Sequence, residues 1–269
     1  MNSMFLKKNL IRLHQLLGQF GFDPIIFVRS IRALPLFFNQ FRQFRRGYSG
    51  VVSLMPFLQE RYAEGGVTKT EYFWQDLIVA RSIFAMRPER HVDVGSSVEG
   101  FVAHVASFRE IEVFDVRPIT TVIPGVVFRQ ADLMDPNSLL NIKEVGYCDS
   151  ISCLHAIEHF GLGRYGDPIN PKGHEFGIAN MAQLLKAGGY FYLSAPIGQE
   201  RVVFNANRVF DPRTIVRCAS ENGLILRKFT VIATGGIVKI LPLTDESFQE
   251  FAQAYYNLGI FVFEKSVEP

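Results

Sequence analysis

Acidic side chains lie at the ends of three short apolar stretches, each of which is predicted to form a β-strand. Asp93 lies within the first stretch, Asp115 closes the second, and Asp132 follows the third. Because the carboxyl ends of parallel strands meet at one edge of a sheet, these carboxylates are expected to line one crevice. Asp115 lies 20 residues beyond Gly95, and a carboxylate at that spacing can accept both hydroxyls of a ribose. The spacing therefore predicts a ligand that contains a nucleoside.

The third acid belongs to the segment Ala131-Asp132-Leu133-Met134. Its carboxylate can accept a hydrogen bond from an adenine amino group, while Leu133 or Met134 covers the ring. Asp132 can equally cap a helix over residues 135–141, and Asp115 can equally be a solvated acid at a strand end. The residues alone leave these alternatives open.

A glycine turn follows the first predicted strand, in the segment His91-Val92-Asp93-Val94-Gly95-Ser96-Ser97-Val98-Glu99-Gly100. Gly95 lets the backbone approach a ligand, and the amides that open the next helix face that ligand. Ser97 occupies the second glycine position of a dinucleotide-binding turn, which disfavours the pyrophosphate of NAD and favours S-adenosylmethionine. Asp93 can then serve the ammonium group of the ligand, directly or through water, although the turn also fits other α/β proteins. The predicted cofactor-binding residues are Asp93, Gly95, Ser96, Ser97, Gly100, Asp115, Val116, Ala131, Asp132, Leu133, Cys153 and Leu154.

Two histidines and a glutamate follow the predicted strand 149–154, in the motif His155-x-x-Glu158-His159. A neutral imidazole just past the strand end can take a proton from an attacking hydroxyl. The same spacing matches a zinc-protease pattern, but that pattern needs both histidines within one helix, and here it directly follows a strand. Each histidine can also be structural and bond a backbone carbonyl. We predict these three residues as catalytic and assign no metal to them.

The loop 161–171 is rich in Gly and Pro and is expected to form the wall of a substrate site or an ordinary surface loop. Predicted substrate residues in and after this loop are Arg164, Tyr165, Asp167, Asn205, Asn207 and Arg208. A weaker hypothesis places a divalent cation on Asp167, His174 and Glu175.

Beyond Arg90 the pattern alternates between strands and helices, which predicts an α/β fold with a mostly parallel sheet. Seven strands are predicted, at 91–95, 111–115, 126–129, 149–154, 189–195, 226–232 and 259–264. Helices are predicted at 98–106, 135–141, 175–186 and 211–222. Residues 69–269 are expected to form this domain, and residues 1–68 a basic, Phe-rich helical extension with a connector. Asp23-Pro24 predicts a helix start, and Pro35 a kink or an end.

Charge and cysteine content exclude several classes of protein. Residues 1–50 carry eight basic side chains and one acid, so the net charge of +2 divides into +7 there and −5 elsewhere. Three cysteines without regular spacing argue against a disulfide scaffold and favour a reducing compartment. No apolar run approaches the ~18 residues of a membrane-spanning helix, and no signal-peptide pattern is present. We expect a cytoplasmic protein that does not bind nucleic acid.

The series Asp93-x-Gly95, Asp115, Ala131-Asp132-Leu133, Asp149 to His159 and Leu185-Lys186-x-Gly188-Gly189 resembles class I S-adenosylmethionine-dependent methyltransferases over residues 90–269. The segments from His155 to Pro168 and from Phe204 to Phe210 resemble an uncharacterised bacterial family, once a domain of unknown function, found with surface-glycan and O-antigen genes. The resemblance implies a Rossmann-like sheet, S-adenosylmethionine as cofactor, and a sugar, nucleotide sugar or glycan precursor as acceptor.

The function predicted from the sequence is O-methylation of such an acceptor in surface polysaccharide biosynthesis. One alternative is a binding or scaffold protein that keeps the fold without catalysis. Another is an NAD-linked sugar-modifying enzyme, which the missing second glycine and the lack of a Tyr-x-x-x-Lys pair disfavour. The segment 24–46 is expected to lie against an anionic membrane, at the inner-membrane surface, or to pack against the core or a second copy in a homodimer.

Overall fold

The computed structural model describes residues 13–14, 16–59, 65–138 and 146–267. The chain divides into two compact units, Met1–Val67 and Thr68–Pro269. In the first unit, helix α1 (Pro24–Gly47) begins where the Asp23 carboxylate accepts from the amides of Ile25 and Ile26. The helix continues through Pro35, and none of its side chains is buried.

The second unit is built on one mixed sheet of eight strands in the order β3-β2-β1-β4-β5-β10-β8-β9. The five strands from β3 to β5 are parallel, and β10 pairs antiparallel with both β5 and β8. The strands of this sheet are β1 (His91–Val94), β2 (Ile111–Asp115), β3 (Val126–Gln130), β4 (Cys148–Leu154), β5 (Leu185–Ile197), β8 (Leu224–Ala233), β9 (Ile237–Leu241) and β10 (Asn257–Lys265). A separate hairpin comprises β6 (Arg201–Val203) and β7 (Asn207–Val209).

The predicted count of seven strands is wrong, because β9 adds an eighth strand at the edge of the sheet. A turn at Gly235 and Gly236, both with positive φ, reverses the chain after β8, and β9 pairs antiparallel with that strand. This strand was not predicted, although four of its five residues are apolar, and all but its last residue are exposed. All seven predicted strands are confirmed, and their observed ends lie within a few residues of the predicted ends.

Helices cover both faces of the sheet. They are α2 (Glu71–Met86), α3 (Ala103–Ala106), α4 (Gly173–Leu184), α5 (Pro212–Ser220) and α6 (Asp245–Gln253), with a π-helical turn (Val98–Val102) leading into α3. The helices predicted at 98–106, 175–186 and 211–222 are confirmed, and α6 was not predicted. Of the helix predicted at 135–141, residues 136–138 form a 3₁₀ turn, and residues 139–141 lie outside the described part.

Two apolar clusters hold these layers together. One contains Val113 and Ile260 with residues of α2, and the other contains Phe114 and Phe261 with residues of α4, α5 and α6. Neighbouring strand residues therefore alternate between the two faces, as the period of a β-strand requires. Burying each such side chain contributes about 1.5–3 kcal/mol.

The strand order places a crevice beside β1. Its neighbours β2 and β4 lie on opposite sides, so the chain crosses the sheet in both directions from this strand. Ligands bind at the carboxyl ends of the strands at such a switch point. None of the helices in the described residues is long and apolar enough to cross a membrane.

Candidate active site

A cavity of about 610 Å³ lies at this switch point. A narrower slot of about 40 Å³ adjoins it, and the two share Gly95, Asp115, Arg117, His159 and Tyr165. The larger cavity is lined by side chains from α2, from the ends of β1, β2 and β4, and from the loop 161–167. The structure thus brings most of the predicted site residues to one cleft.

The glycine turn forms the floor of this cleft. Gly95 has φ +69°, and its amide donates to the carbonyl of Phe114. A Cβ at Gly95 would lie 3.1 Å from the Cβ of Ala156, so a larger residue would crowd the turn. Ser97 caps the following helical turn by accepting from the amide of Gly100, and Ser96 and Ser97 both line the cavity.

Asp93 lies beneath the turn. Its buried carboxylate accepts from the amide and hydroxyl of Ser96, at 3.0 and 2.6 Å, and from the hydroxyl of Ser152 at 2.6 Å. Burial raises the pKa of Asp93 to about 6, although these hydrogen bonds oppose the shift. The Ser96 hydroxyl also accepts from the amide of Leu154, so Asp93 joins the turn to the end of β4. The structure therefore does not bring Asp93 to the cavity wall, because the protein itself occupies its oxygen atoms.

His91 extends this buried hydrogen-bond chain. Its Nε2 lies 3.1 Å from the Ser152 hydroxyl, and its Nδ1 lies 2.8 Å from the Ser150 hydroxyl. Because Ser152 donates to Asp93, His91 Nε2 must donate to Ser152, which leaves Nδ1 as an acceptor. Burial lowers the pKa of His91 to about 3, so its imidazole is neutral.

Two further predicted cofactor residues lie away from the cavity. Gly100 contacts α2, where a Cβ would come within 2.5 Å of the Asp76 carboxylate. Cys153 is fully buried in the core, and burial raises the pKa of its thiol. Leu154, the next residue along β4, does line the cavity.

Asp115 lies where the cavity and the slot meet. Its carboxylate forms an ion pair with Arg117, whose Nε and Nη2 donate at 3.0 and 2.7 Å. The amide of Arg117 donates to the same carboxylate at 2.8 Å. A carboxylate offers about four lone-pair positions, so a ligand hydroxyl would share Asp115 with Arg117.

The slot beyond Asp115 is mostly apolar, as a ring-binding site requires. The predicted residues Val116, Ala131, Asp132 and Leu133 all line it. The Asp132 carboxylate accepts from the amide of Met134 at 2.9 Å, which is a turn contact. Burial raises the pKa of Asp132.

His155 and Glu158 form a buried pair at the end of β4. His155 has φ +55°, a left-handed conformation that is uncommon outside glycine, and its Nδ1 contacts Glu158 Oε1. Burial lowers the pKa of His155, but the charge and hydrogen bond of Glu158, with the charges of Glu71 and Asp76, outweigh burial and raise it overall. The atoms His155 Nε2 and Glu158 Oε2 are buried without a hydrogen-bond partner among the described residues.

His159 has different surroundings. Its Nδ1 lies 2.7 Å from the carbonyl oxygen of Ala206 and so must carry the proton of that hydrogen bond. Its Nε2 lies 3.7 Å from Glu158 Oε1. Burial lowers the pKa of His159, and the charge of Arg164 adds to this effect. His159 is therefore a neutral imidazole whose Nε2 can accept a proton.

The residues of the wall opposite the histidines were not predicted from the sequence. The ring of Tyr72 stacks on His155 with centroids 4.5 Å apart, and Glu71 Oε1 lies 4.0 Å from His155 Nε2. Tyr256 donates to Glu71 at 2.9 Å. Glu71, Tyr72 and Gln75 share the first turns of α2, and their spacing of one and four residues, which places them near one face of a helix, is the signal that could have identified them.

The predicted substrate residues divide into two groups. Arg164, Tyr165 and Asn207 line the cavity. The Asp167 carboxylate borders the slot but accepts from the amides of Gly161, Gly163 and Tyr165 and thereby closes the loop.

Arg208 and Asn205 do not reach the cavity. Arg208 is buried, and its guanidinium donates to the carbonyl of Phe160 at 2.5 Å and to that of Pro171 at 3.2 Å. Asn205 is exposed at the turn between β6 and β7.

The cation site suggested for Asp167, His174 and Glu175 is not formed. His174 packs against Phe210 with ring centroids 5.3 Å apart, while Asp167 is engaged by loop amides. Within the described residues, no group of three His, Cys, Asp or Glu side chains is arranged to hold a metal ion.

Residues 141–234, about a third of the chain, match a family model described as "Caenorhabditis protein of unknown function, DUF268". That description names neither a bacterial source nor glycan genes. No curated protein matches the chain.

Solved structures with a similar fold include three methyltransferases. The 1,6-didemethyltoxoflavin-N1-methyltransferase of Burkholderia thailandensis, with bound S-adenosylhomocysteine, has a TM-score of 0.49 at 10% identity over 72% of this chain and 79% of that chain. The N-methyltransferase NodS of Bradyrhizobium japonicum WM9, in complex with S-adenosylhomocysteine, has a TM-score of 0.47 at 12% identity over 71% of this chain and 85% of that chain. A putative sarcosine dimethylglycine methyltransferase of Galdieria sulphuraria has a TM-score of 0.49 at 11% identity over 72% of this chain and 85% of that chain. At these identities the similarity is one of fold alone.

Proposed function

We propose that the protein transfers a methyl group from S-adenosylmethionine to a hydroxyl of a sugar, a nucleotide sugar or another glycan precursor. One observation carries the proposal: a single cleft at the switch point combines a nucleoside-binding edge with a pair of histidines. Gly95 and Asp115 lie at that edge, and His155 and His159 lie at the end of the neighbouring strand β4.

The residues of the cleft fit the cofactor. Gly95 provides a backbone that a ligand can approach, Asp115 provides an acceptor for ribose hydroxyls, and the slot from Val116 to Leu133 provides an apolar ring site. S-adenosylmethionine supplies an electrophilic methyl group when it is bound. The buried His155 Nε2 has no hydrogen-bond partner among the described residues and lies 4.0 Å from Glu71 Oε1, so we infer that a ligand atom completes the site.

The two histidines have separate roles in this proposal. His159 Nε2 accepts the proton of the acceptor hydroxyl, because its Nδ1 is held as a donor by Ala206. His155 carries the charge that Glu158 stabilises, and its Nε2–H donates to the acceptor and orients it. Glu158 therefore acts as a positioning residue between the two rings, and the rate gain comes mainly from orientation.

A sugar acceptor suits the remaining walls of the cavity. Tyr72 and Tyr165 present aromatic rings, and Gln75, Arg164 and Asn207 present planar hydrogen-bonding groups. The link to a surface glycan rests on the resemblance of the segments from His155 to Pro168 and from Phe204 to Phe210. We infer a cytoplasmic location from the three cysteines without regular spacing. The two alternatives predict different ligand binding: a scaffold protein would bind no cofactor, and an NAD-linked enzyme would bind NAD.

Calorimetry with S-adenosylhomocysteine and NAD tests the cofactor. We expect saturable S-adenosylhomocysteine binding to the intact protein and a loss of at least tenfold in affinity for Asp115→Ala, because the ribose hydroxyls lose a charged acceptor. Glu264→Ala is the matched control, since it removes the carboxylate of another arginine pair, with Arg227, away from the cleft.

The control should bind like the unaltered protein. If S-adenosylhomocysteine does not bind, the methyltransferase proposal fails and the scaffold interpretation stands. Saturable binding of NAD instead would support the dehydrogenase alternative.

A separate proposal concerns the segment 24–46, which we infer to lie against an anionic membrane surface. Exposed apolar side chains, among them Ile25, Phe27 and Phe44, share α1 with five arginines. Such a combination suits an interfacial helix. A second copy of the chain is the competing partner for this helix.

A further inference from the structure

Two arginines in the cleft share one aromatic ring. The guanidinium carbon of Arg117 lies 4.3 Å from the centroid of Tyr165, and that of Arg164 lies 5.2 Å from it. Two like charges held against one ring repel each other, although the ring partly offsets this through cation–π attraction. An anion bound beside them would relieve the repulsion.

The two arginines differ in their ionic partners. Asp115 pairs with Arg117, and Glu158 pairs with His155. The hydrogen bonds of Asp115 and, more weakly, the charge of Glu99 raise the pKa of Arg117. Arg164 instead donates to the carbonyl oxygen of Ala206 at 2.8 Å, and no carboxylate of the described residues lies within ion-pair distance of it.

Both guanidinium groups keep hydrogen-bond donors for a ligand. A guanidinium has five N–H groups, of which Arg117 directs Nε and Nη2 to Asp115, and Arg164 directs Nη1 to Ala206. Both side chains line the 610 Å³ cavity. Their remaining donors are therefore available to a molecule in that cavity.

We propose that Arg117 and Arg164, placed around Tyr165, form a phosphate-binding subsite for the acceptor. This inference rests on the proposed function and narrows it: the acceptor is a sugar phosphate or a nucleoside diphosphate sugar. A phosphate group carries several oxygen acceptors and up to two charges, so it can engage two arginine forks at once. A single carboxylate would accept the paired N–H donors of only one guanidinium.

Arg164 also joins the subsite to the reacting end of the cleft. Its Nη1 lies 3.4 Å from His159 Nδ1, and both groups contact the carbonyl of Ala206. A phosphate bound at Arg164 would thus fix the acceptor next to His159.

Calorimetry on the full chain saturated with S-adenosylhomocysteine tests this subsite, with inorganic phosphate, glucose 1-phosphate, glucuronate and methyl glucoside as probes. We expect saturable binding of both phosphates and at least tenfold weaker binding of the neutral glucoside. Arg164→Gln should weaken both phosphate probes by ten- to a hundredfold, as loss of a charged hydrogen bond predicts, while S-adenosylhomocysteine affinity stays within twofold.

Arg201→Gln is the matched control, because Arg201 lies 4.3 Å over the Tyr255 ring but does not line the cavity. It should bind both phosphates like the unaltered protein. Equal phosphate affinity of Arg164→Gln and the unaltered protein would overturn the subsite, as would tighter binding of glucuronate than of glucose 1-phosphate. A parallel loss of S-adenosylhomocysteine affinity in Arg164→Gln would also overturn it, because the arginine would then serve the cofactor's carboxylate. If S-adenosylhomocysteine does not bind the unaltered protein, it is the proposed function that fails.

Discussion

The two histidines of the cleft differ in what their Nδ1 atoms contact. His155 Nδ1 meets the Glu158 carboxylate, whereas His159 Nδ1 meets a backbone carbonyl. A carboxylate stabilises an imidazolium, and a carbonyl merely fixes the tautomer of a neutral ring. Identical residue types four positions apart therefore have different surroundings, which the sequence motif did not reveal, and the proposed function gives them different roles.

His159→Gln tests this division of labour. We expect kcat to fall by about a hundredfold or more, because general-base catalysis is lost, while S-adenosylmethionine affinity stays within twofold. The lowered pKa of His159 also predicts that the acid limb of the kcat/KM profile lies below pH 6.5. Methyl transfer to an acceptor identified among sugar phosphates and nucleotide sugars provides the measurement.

His104→Gln is a suitable control, since His104 is exposed and does not line the cleft. A full-rate His159→Gln enzyme would remove this residue from the mechanism. An acid limb above pH 6.5 would contradict its assignment as the base.

His91 predicts a pH dependence of stability. Its pKa is about 3 in the folded protein, against an ordinary value of 6.5 in the unfolded chain, so below pH 6.5 only the unfolded chain takes up the proton. Its stabilising contribution is full above pH 6.5 and is lost as the pH falls towards 3, at up to about 1.4 kcal/mol per pH unit. We expect urea unfolding to show that the free energy of unfolding of His91→Asn falls less between pH 6.5 and 4 than that of the unaltered protein.

The comparison isolates His91 from other titrating groups. His174, with a pKa of about 4, acts in the same direction in both proteins. Asp93, with a raised pKa of about 6, acts in the opposite direction, stabilising the fold as the pH falls towards 3.8. Parallel pH profiles for the variant and the unaltered protein would refute the buried neutral imidazole.

Local signals were sufficient for most of the secondary structure. The helix predicted at 211–222 begins where the Asp211 carboxylate accepts from the amide of Arg213 at 2.9 Å, with Pro212 as its first residue. Apolar alternation likewise predicted β2 at its observed bounds. The edge strand β9 and the short hairpin of β6 and β7 were not predicted. β6 and β7 have only three residues each, and all three strands pair antiparallel with a neighbour.

The loop 161–170 owes its shape to glycine at two positions with different demands. Gly161 has φ +74°, and a Cβ there would lie 2.0 Å from the carbonyl oxygen of Asn170. Gly166 has φ +83°, but a Cβ there would meet nothing within 4 Å. We expect Gly166→Ala to lower the free energy of unfolding by about 1 kcal/mol from backbone strain alone.

Gly161→Ala should lower the free energy of unfolding by about 1–3 kcal/mol more than Gly166→Ala does, because the backbone must also move aside. Urea unfolding of the two variants gives the difference directly. Equal losses would show that the contact between Gly161 and Asn170 does not constrain the loop.

At the scale of the molecule, the cleft depends on contacts between distant parts of the chain. Tyr256 bonds Glu71 across 185 positions, and Ser194 bonds Gln75 across 119. Motifs read along the sequence identified Asp115 and the histidines, which follow their own strands. They did not identify Tyr256, which joins the site only through a tertiary contact. Arg117 lies only two residues beyond Asp115 but belongs to none of these motifs.

Charge is also distributed unevenly over the molecule, with +7 on residues 1–50. We expect the full chain to float with liposomes that contain anionic lipid and to float less as salt is raised. Replacing Arg29, Arg32, Arg42, Arg45 and Arg46 with Gln should abolish flotation. Equal flotation of both proteins would end the membrane proposal, and a dimer in analytical ultracentrifugation that the variant loses would favour a second copy.

The pairing of Asp115 with Arg117 couples the binding of the two ligands of the proposed reaction. A ribose that takes up the Asp115 oxygens weakens the hold of that carboxylate on Arg117 and so frees its donors for the phosphate of the acceptor. Each ligand then tightens the binding of the other by the same factor, as thermodynamic linkage requires. The methyl donor and the acceptor of the proposed reaction would therefore bind cooperatively, whichever of the two enters the cleft first.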